Sequence, residues 1–314
     1  MPKKNFRWAP VAQCHQLSPQ GENLFSLWAS DRPKRLILKS MFPLFQRVSA
    51  FLLSWATLLF AGHLSAQSVP DTHAKVELIA EQSNVPSGNP LWVGVLFRLD
   101  KGWHIYWQNP GDSGEPPKVE WQLLRGLVAG PIRWPQPIRL EAGTIVDYGY
   151  EGRVLLMAPI KAAGAGKTLS ATAIAADVKY IICREMCIAA RAHLTLSKPP
   201  GGDWVGWHTL FQQTQQQLPK TPPAGWKISA ESNGSQFIIS VRGTPAVQGA
   251  RFFPLDPNQV ENSSPQGFAS NQSGFRLILK KSDQMLKPIS ALRGVIVLSS
   301  GFAFEVATPV VSAK

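Results

Sequence analysis

Apolar residues alternate with polar ones through much of residues 73–196, the two-residue period of strands with one buried face. "HAKVELIAE" turns Val76, Leu78 and Ala80 to one side, and "NPLWVGVLFRLD" is a longer Leu, Val and Phe run. "GWHIYWQNPGDSGEPP" reads as a short aromatic strand entering a turn-rich loop at Asn109-Pro110-Gly111 and Pro116-Pro117. "VEWQLL", "GRVLLMAPI", "TLSATAIAADVKYIIC" and "CIAARAHLTL" are further strand candidates. Short strands with Gly and Pro punctuation predict an antiparallel β-sandwich.

One segment changes period. In "GDWVGWHTLFQQTQQQLP", Trp204, Trp207, Leu210, Phe211 and Leu218 fall near a helical repeat, with Asp203 as candidate N-cap and Pro219 as the stop. It predicts one connecting amphipathic helix, followed by the linker "KTPPAGW". Strand patterns return in "WKISAES", "QFIISVRG", "ARFFPLD", "GFRLILKK" and "RGVIVLSSGFAFEVATPV", and "NQVENSSPQGFASNQSG" reads as a polar loop. The expected organisation is mainly β: a leader over 1–66, a sandwich over 67–200, helix and linker over 201–224, and a smaller β-sandwich-like domain over 225–314.

The leader assignment rests on "MFPLFQRVSAFLLSWATLLFAGHLSA", where basic Arg47 precedes an apolar run and small residues end at Ala66. That order is the layout of a secretory signal peptide, with Met41 as the expected true start. It predicts a periplasmic or secreted protein, touching a membrane only through an uncleaved leader. The charge changes accordingly. The whole chain carries 32 Lys and Arg against 20 Asp and Glu, a net +12. Residues 1–66 hold eight of the former and two of the latter, leaving 24 against 18, or +6, beyond them. That charge is scattered, without the basic block expected for nucleic acid.

Few motifs carry chemistry. "GAGKT" at 164–168 lacks the glycine a phosphate-binding loop needs, Lys161 standing there, and reads as a hairpin turn. The histidines beyond the leader show no metal-ligand spacing. No cofactor is expected.

Two cysteines remain beyond Cys14, in "VKYIICREMCIAARAHLTL". Along one extended strand Cys183 and Cys187 would lie about 13 Å apart, too far for a disulfide. With "REM" as a hairpin loop they face each other at bridging distance. Three readings stand at this point: a redox pair, a structural disulfide, or a soft-metal site of Cys183, Met186 and Cys187. A loop so short gives a disulfide only about 2 kcal/mol, which makes a staple the less useful reading. Arg184 would favour a thiolate and Glu185 oppose it.

"GWHIYWQNPGDSGEPP", "GPIRWPQPIRL", "DYGYEGRVLLMAPI" and "YIICREMCIAARAHLTLS", in this order, resemble the periplasmic N-terminal region of the DsbD/ScsB thiol:disulfide interchange proteins. The three-residue gap between the cysteines sides with the ScsB-like branch, named for suppression of copper sensitivity. The resemblance implies an immunoglobulin-like sandwich whose Cys183–Cys187 pair shuttles between disulfide and dithiol, with Cys187 as the point of mixed-disulfide attachment. It implies a cap segment of Asp147, Tyr148, Gly149 and Tyr150, with the two tyrosines as shielding rings. Trp103, His104, Tyr106, Trp107, Arg184 and Glu185 would line the site. The implied partners are thioredoxin-fold periplasmic proteins, with electrons from a separate membrane donor, since this chain shows no transmembrane bundle and no thioredoxin domain. The activity implied is thiol–disulfide oxidoreductase-like. The alternative is a non-catalytic binding module with a structural disulfide, copper handling among its roles.

Overall fold

Strands occur where the two-residue period predicts them, and several more lie between. The structure is a computed structural model describing residues 73–85, 89–162, 169–170, 174–198, 202 and 204–312. The leader, the "GAGKT" turn and Asp203 lie outside the described residues. In chain order the first strands are β1 (Ala74–Ala80), β2 (Asn84–Val85), β3 (Leu91–Leu99), β4 (His104–Gly111), β5 (Lys118–Leu123) and β6 (Leu127–Ala129). There follow β7 (Ile138–Ala142), β8 (Ile145–Glu151), β9 (Arg153–Ala162), β10 (Leu169–Ser170), β11 (Ile174–Cys183) and β12 (Cys187–Thr195). Helix α1 (Trp204–Gln217) leads to β13 (Lys227–Asn233), β14 (Gln236–Arg242), β15 (Ala250–Pro254), β16 (Gly267–Asn271), β17 (Gly274–Lys280), β18 (Ala291–Leu298) and β19 (Ala303–Ser312).

Two sheets make the first sandwich. One has the order β1-β3-β9-β6, the other β12-β11-β4-β8-β7 with β5 also paired to β11. Their inner faces meet in a single core: Leu78, Val95, Phe97 and Leu156 from the first sheet, and Ile105, Trp107, Val178 and Ile182 from the second. These positions alternate along their strands, as burial of one face requires.

Strands β3 and β9 depart from alternation because both of their faces are covered. Helix α1 lies on the outer side, where Phe211 is fully buried with Ile79, Leu96, Leu155 and Met157. This double burial accounts for the near-continuous apolar runs "LWVGVLF" and "VLLMAPI". Among the described residues no helix is long and apolar enough to cross a membrane.

The C-terminal strands form one sheet of order β15-β18-β19-β13-β14-β17-β16. It curls so that Phe252 of β15, Phe237 of β14, Leu277 of β17 and Ile296 of β18 share a second core. Pairing is antiparallel except between β13 and β19, which run parallel with Ala230 opposite Val310. The segment expected to be a polar loop contains β16, an edge strand paired with β17. Before it, the Gln266 amide both donates to Phe252 O and accepts from Phe252 N, each at 2.8 Å. It thus occupies the edge of β15 as a neighbouring strand would. The described residues fall in one compact unit, in which Phe253, Val295 and Ala303 of the C-terminal sheet join the core of the first sandwich.

Candidate functional site

The cysteines end the two arms of a hairpin. β11 and β12 pair in nine register positions that finish with Cys183 opposite Cys187, and Arg184 N donates to Met186 O to close the turn. The Cα atoms stand 4.1 Å apart and the sulfurs are joined in a disulfide. Cys183 also pairs with His104 of β4. Directly paired residues share a face, so His104, Cys183 and Cys187 form a row on the outer side of the sheet. The two cysteines are unequally exposed: Cys183 is 2% exposed, whereas Cys187 belongs to the exposed surface.

Tyr106 covers Cys183. Its neighbours Ile105 and Trp107 face the core, so the alternation of β4 turns Tyr106 outward beside His104. It is nevertheless fully buried. Its hydroxyl donates to Cys183 Sγ at 2.9 Å and stands 3.6 Å from Cys187 Sγ. Ser113 Oγ is 3.5 Å from the same hydroxyl, but Ser113 gives its own proton to Asp147 Oδ2 at 2.8 Å. Ser113 therefore meets Tyr106 only as an acceptor, and the single phenolic proton is held by the closer sulfur. Burial pushes the Tyr106 phenol above its ordinary value, with the Ser113 contact opposing and the Asp147 charge reinforcing the shift. The phenol thus stays a donor throughout neutral pH.

The cover over Tyr106 is the segment Gly111–Gly114. β4 and β8 pair from His104–Glu151 to Tyr106–Gly149, then resume at Gly111–Asp147, so β4 spends four residues where β8 spends one. This bulge throws the following loop across the outer face. Gly114, at φ 73°, lies so close to the Tyr106 ring that a Cβ there would come within 2.1 Å of it. Asp147 pins the loop from below, accepting from both Ser113 N and Ser113 Oγ at 2.8 Å.

Of the other predicted site residues, His104, Arg184 and Glu185 lie at the hairpin and the rest belong to strand β8 or the core. "DYGYE" lies in strand β8 rather than in a loop, and at Gly149 β8 passes so close to β4 that a Cβ would stand 2.2 Å from Ile105 O. Tyr148 and Tyr150, expected as shielding rings, are buried and turn their hydroxyls to Asn262 Oδ1 and Pro135 O, both at 2.8 Å. Burial raises both phenols above their ordinary value. Trp103 stacks on His73 with centroids 4.0 Å apart, and Trp107 meets the edge of Phe253; both belong to the core. His104 packs edge-on against Tyr106, and burial lowers its pKa, partly offset by Asp147 and Glu151. Arg184 pairs with Glu185 at 3.6 Å, both exposed.

Sequence reasoning passed over Ser113 and Gly114. The signal was present in "NPGDSG", where glycines three apart flank a short polar pair. For the soft-metal set, Met186 is 66% exposed and the two sulfurs are bound to each other, so no thiolate is present in this state. Among the described residues no group of three or more His, Cys, Asp or Glu is arranged to hold a metal.

Residues 75–199 match the family model described as thiol:disulfide interchange protein DsbD, N-terminal. This segment is a DsbD-like N-terminal domain. The crystal structure of the N-terminal periplasmic domain of ScsB from Proteus mirabilis is similar, with 18% identity, 77% of this chain and 96% of that one covered, and a TM-score of 0.59. At that identity the likeness concerns the fold, and it extends past the DsbD-like domain into the C-terminal sheet. The periplasmic chaperone SfaE covers 76% of this chain and 100% of its own at 10% identity and TM-score 0.18. The tandem Ig repeats of Dlar cover 76% and 97% at 14% and 0.20. Neither of these two carries an argument. No curated protein matches the chain.

Proposed function

We propose that this protein is an exported thiol–disulfide interchange protein acting through Cys183 and Cys187. The asymmetry of the pair carries the reading: one cysteine lies on the exposed surface, and the other is buried with its sulfur against a hydroxyl donor. A partner thiolate attacks Cys187 Sγ, and a new sulfur–sulfur bond forms between partner and Cys187. The Cys183–Cys187 bond breaks, and its electron pair leaves on Cys183. The Tyr106 hydroxyl then donates to a thiolate instead of a disulfide sulfur, a stronger hydrogen bond that lowers the barrier to departure. The partner's second thiolate attacks its own sulfur in the mixed species and releases Cys187. The partner ends as a disulfide and this pair as a dithiol, two electrons having passed. Reversed, the same steps reduce a partner disulfide, Cys187 attacking and Cys183 resolving.

The DsbD-like domain supports thioredoxin-fold proteins as the partner class, a membrane-embedded electron donor, and an extracytoplasmic location. His104 adds no cation, since its lowered pKa keeps it neutral near pH 7. Tyr106 is then the polar group that meets the leaving sulfur.

The test is capture of the mixed species in the native compartment. Cys183→Ala leaves Cys187 without its resolving sulfur and should accumulate an adduct with a partner cysteine of a Cys-X-X-Cys pair. Cys187→Ala should accumulate far less. Absence of any adduct from either variant, with a bridge that resists thioredoxin-type reductants, would turn the reading to a structural disulfide.

A further inference from the structure

The loop that covers Tyr106 is held from the C-terminal sheet region, far away in sequence. Asn262 Nδ2 donates to Asp112 Oδ1 at 2.8 Å, across 150 positions of chain. Asn262 Oδ1 accepts the Tyr148 hydroxyl at 2.8 Å, so the amide bridges the loop and strand β8. The second Asp112 oxygen accepts Val146 N at 2.8 Å. At the start of the loop, buried Asn109 donates from Nδ2 to Pro254 O at 2.8 Å and accepts Gly111 N on Oδ1. Phe253 packs edge-on against both Tyr148 and Trp107, with centroids 5.2 and 6.4 Å apart. Apart from Tyr106 itself, the hydrogen bonds that tie Asn109–Gly114 to the rest of the fold run to β8 and to Pro254 and Asn262.

We infer that the C-terminal region is a working part of the exchange site, with Asn262 as a positioning residue that acts through the Asp112–Gly114 loop on Tyr106. The inference rests on the proposed exchange at Cys183–Cys187. Asp112 is held on one side by strand β8 and on the other by Asn262. Ser113 and Gly114 follow it directly, one facing the Tyr106 hydroxyl and the other lying on its ring. Releasing Asp112 from Asn262 leaves it held by β8 alone, so the loop loosens next to Gly114 and presses less firmly on the ring whose hydroxyl meets Cys183 Sγ. A region serving only as packing support would give up stability when this bridge is cut, without changing how the sulfur leaves.

The experiment uses the full chain and dithiothreitol in place of the partner. The rate of disulfide reduction and the pH profile of thiol alkylation are measured for Asn262→Ala, Tyr106→Phe and the double variant. Asn262→Ala should slow reduction about threefold to tenfold, the worth of one neutral hydrogen bond, and move the alkylation profile to higher pH. In the Tyr106→Phe background it should change neither, because it acts through that hydroxyl. Tyr148→Phe removes one end of the same bridge and should shift both readouts the same way by a smaller factor; it carries the test if Asn262→Ala does not fold. Wild-type rate and profile in the folded variants would overturn the inference, as would an equal slowing with and without the Tyr106 hydroxyl. Partner capture by Cys183→Ala reports separately on the exchange role, so the two claims fail on different measurements.

Discussion

The Tyr106 hydroxyl reaches Cys183 Sγ at 2.9 Å from a strand seventy-seven positions earlier, and it is the polar side chain that meets the buried sulfur. Tyr106→Phe keeps the ring, and with it the packing under Gly114, but removes the donor. The leaving thiolate then forfeits a hydrogen bond to a charged acceptor, about 1.5 kcal/mol or more, so reduction by dithiothreitol should slow at least about tenfold. Stopped-flow or quenched alkylation measures this, and the alkylation pKa of Cys183 should rise in the same variant. An unchanged rate would show that departure from Cys183 does not depend on the phenol.

Gly114→Ala approaches the same hydroxyl from the other side. The left-handed backbone at φ 73° costs a non-glycine residue about 1–3 kcal/mol, which a denaturation curve will register. The added carbon also falls on the Tyr106 ring and must displace ring or loop. Reduction should slow toward the Tyr106→Phe rate, whereas Gly143→Ala, also at positive φ but with open space around its Cβ, should lose stability alone.

The hairpin was legible because its information is local. Two strand patterns separated by "REM" already place Cys183 opposite Cys187, and the register agrees. The helix was legible for the same reason, its period marking Phe211 for burial against the sandwich. What escaped depends on chain geometry over long range. The bulge after Tyr106 turns a turn-rich loop into a cover, and nothing in its composition says what it covers. Tyr148 and Tyr150 belong to a strand whose inner face they supply, so the motif that suggested a cap carries core residues, with Asp147 as the member reaching the loop. Asn262 sits in a stretch of Ser, Asn and Gln that reads as solvent-facing. Its role exists only because the C-terminal region folds back on β4 and β8.

His104 should leave a signature in acid. Burial holds its folded pKa below the ordinary value of about 6.5 that it has when unfolded. Between those two values the unfolded chain binds a proton that the folded chain does not, so stability rises with pH there. The His104 contribution is fully present above about pH 6.5, is lost as pH falls toward the folded value, and levels off below it. Thermal unfolding between roughly pH 5 and 7.5 should show a shallower slope for His104→Gln than for the natural chain. The lowered carboxyl of Asp177, hydrogen-bonded by His193, titrates at lower pH and should not mask the difference.

The disulfide itself separates a shuttle from a staple. It joins positions that the β11–β12 ladder already holds together, closing a loop of only a few residues. Chain-entropy arithmetic gives such a bridge about 2 kcal/mol. The Cys183→Ala, Cys187→Ala double variant should therefore unfold in denaturant with a loss near or below about 2 kcal/mol. Reduction of the natural chain should shift its unfolding by a similar amount, because the same link is broken. A loss of about 4 kcal/mol or more, the scale of a bridge that small exported domains cannot fold without, would mean that the pair is kept for stability. A small loss, together with a rate that responds to Tyr106, is the combination an exchanging pair requires: the protein must stay folded in both redox states while one hydroxyl sets how readily it passes between them.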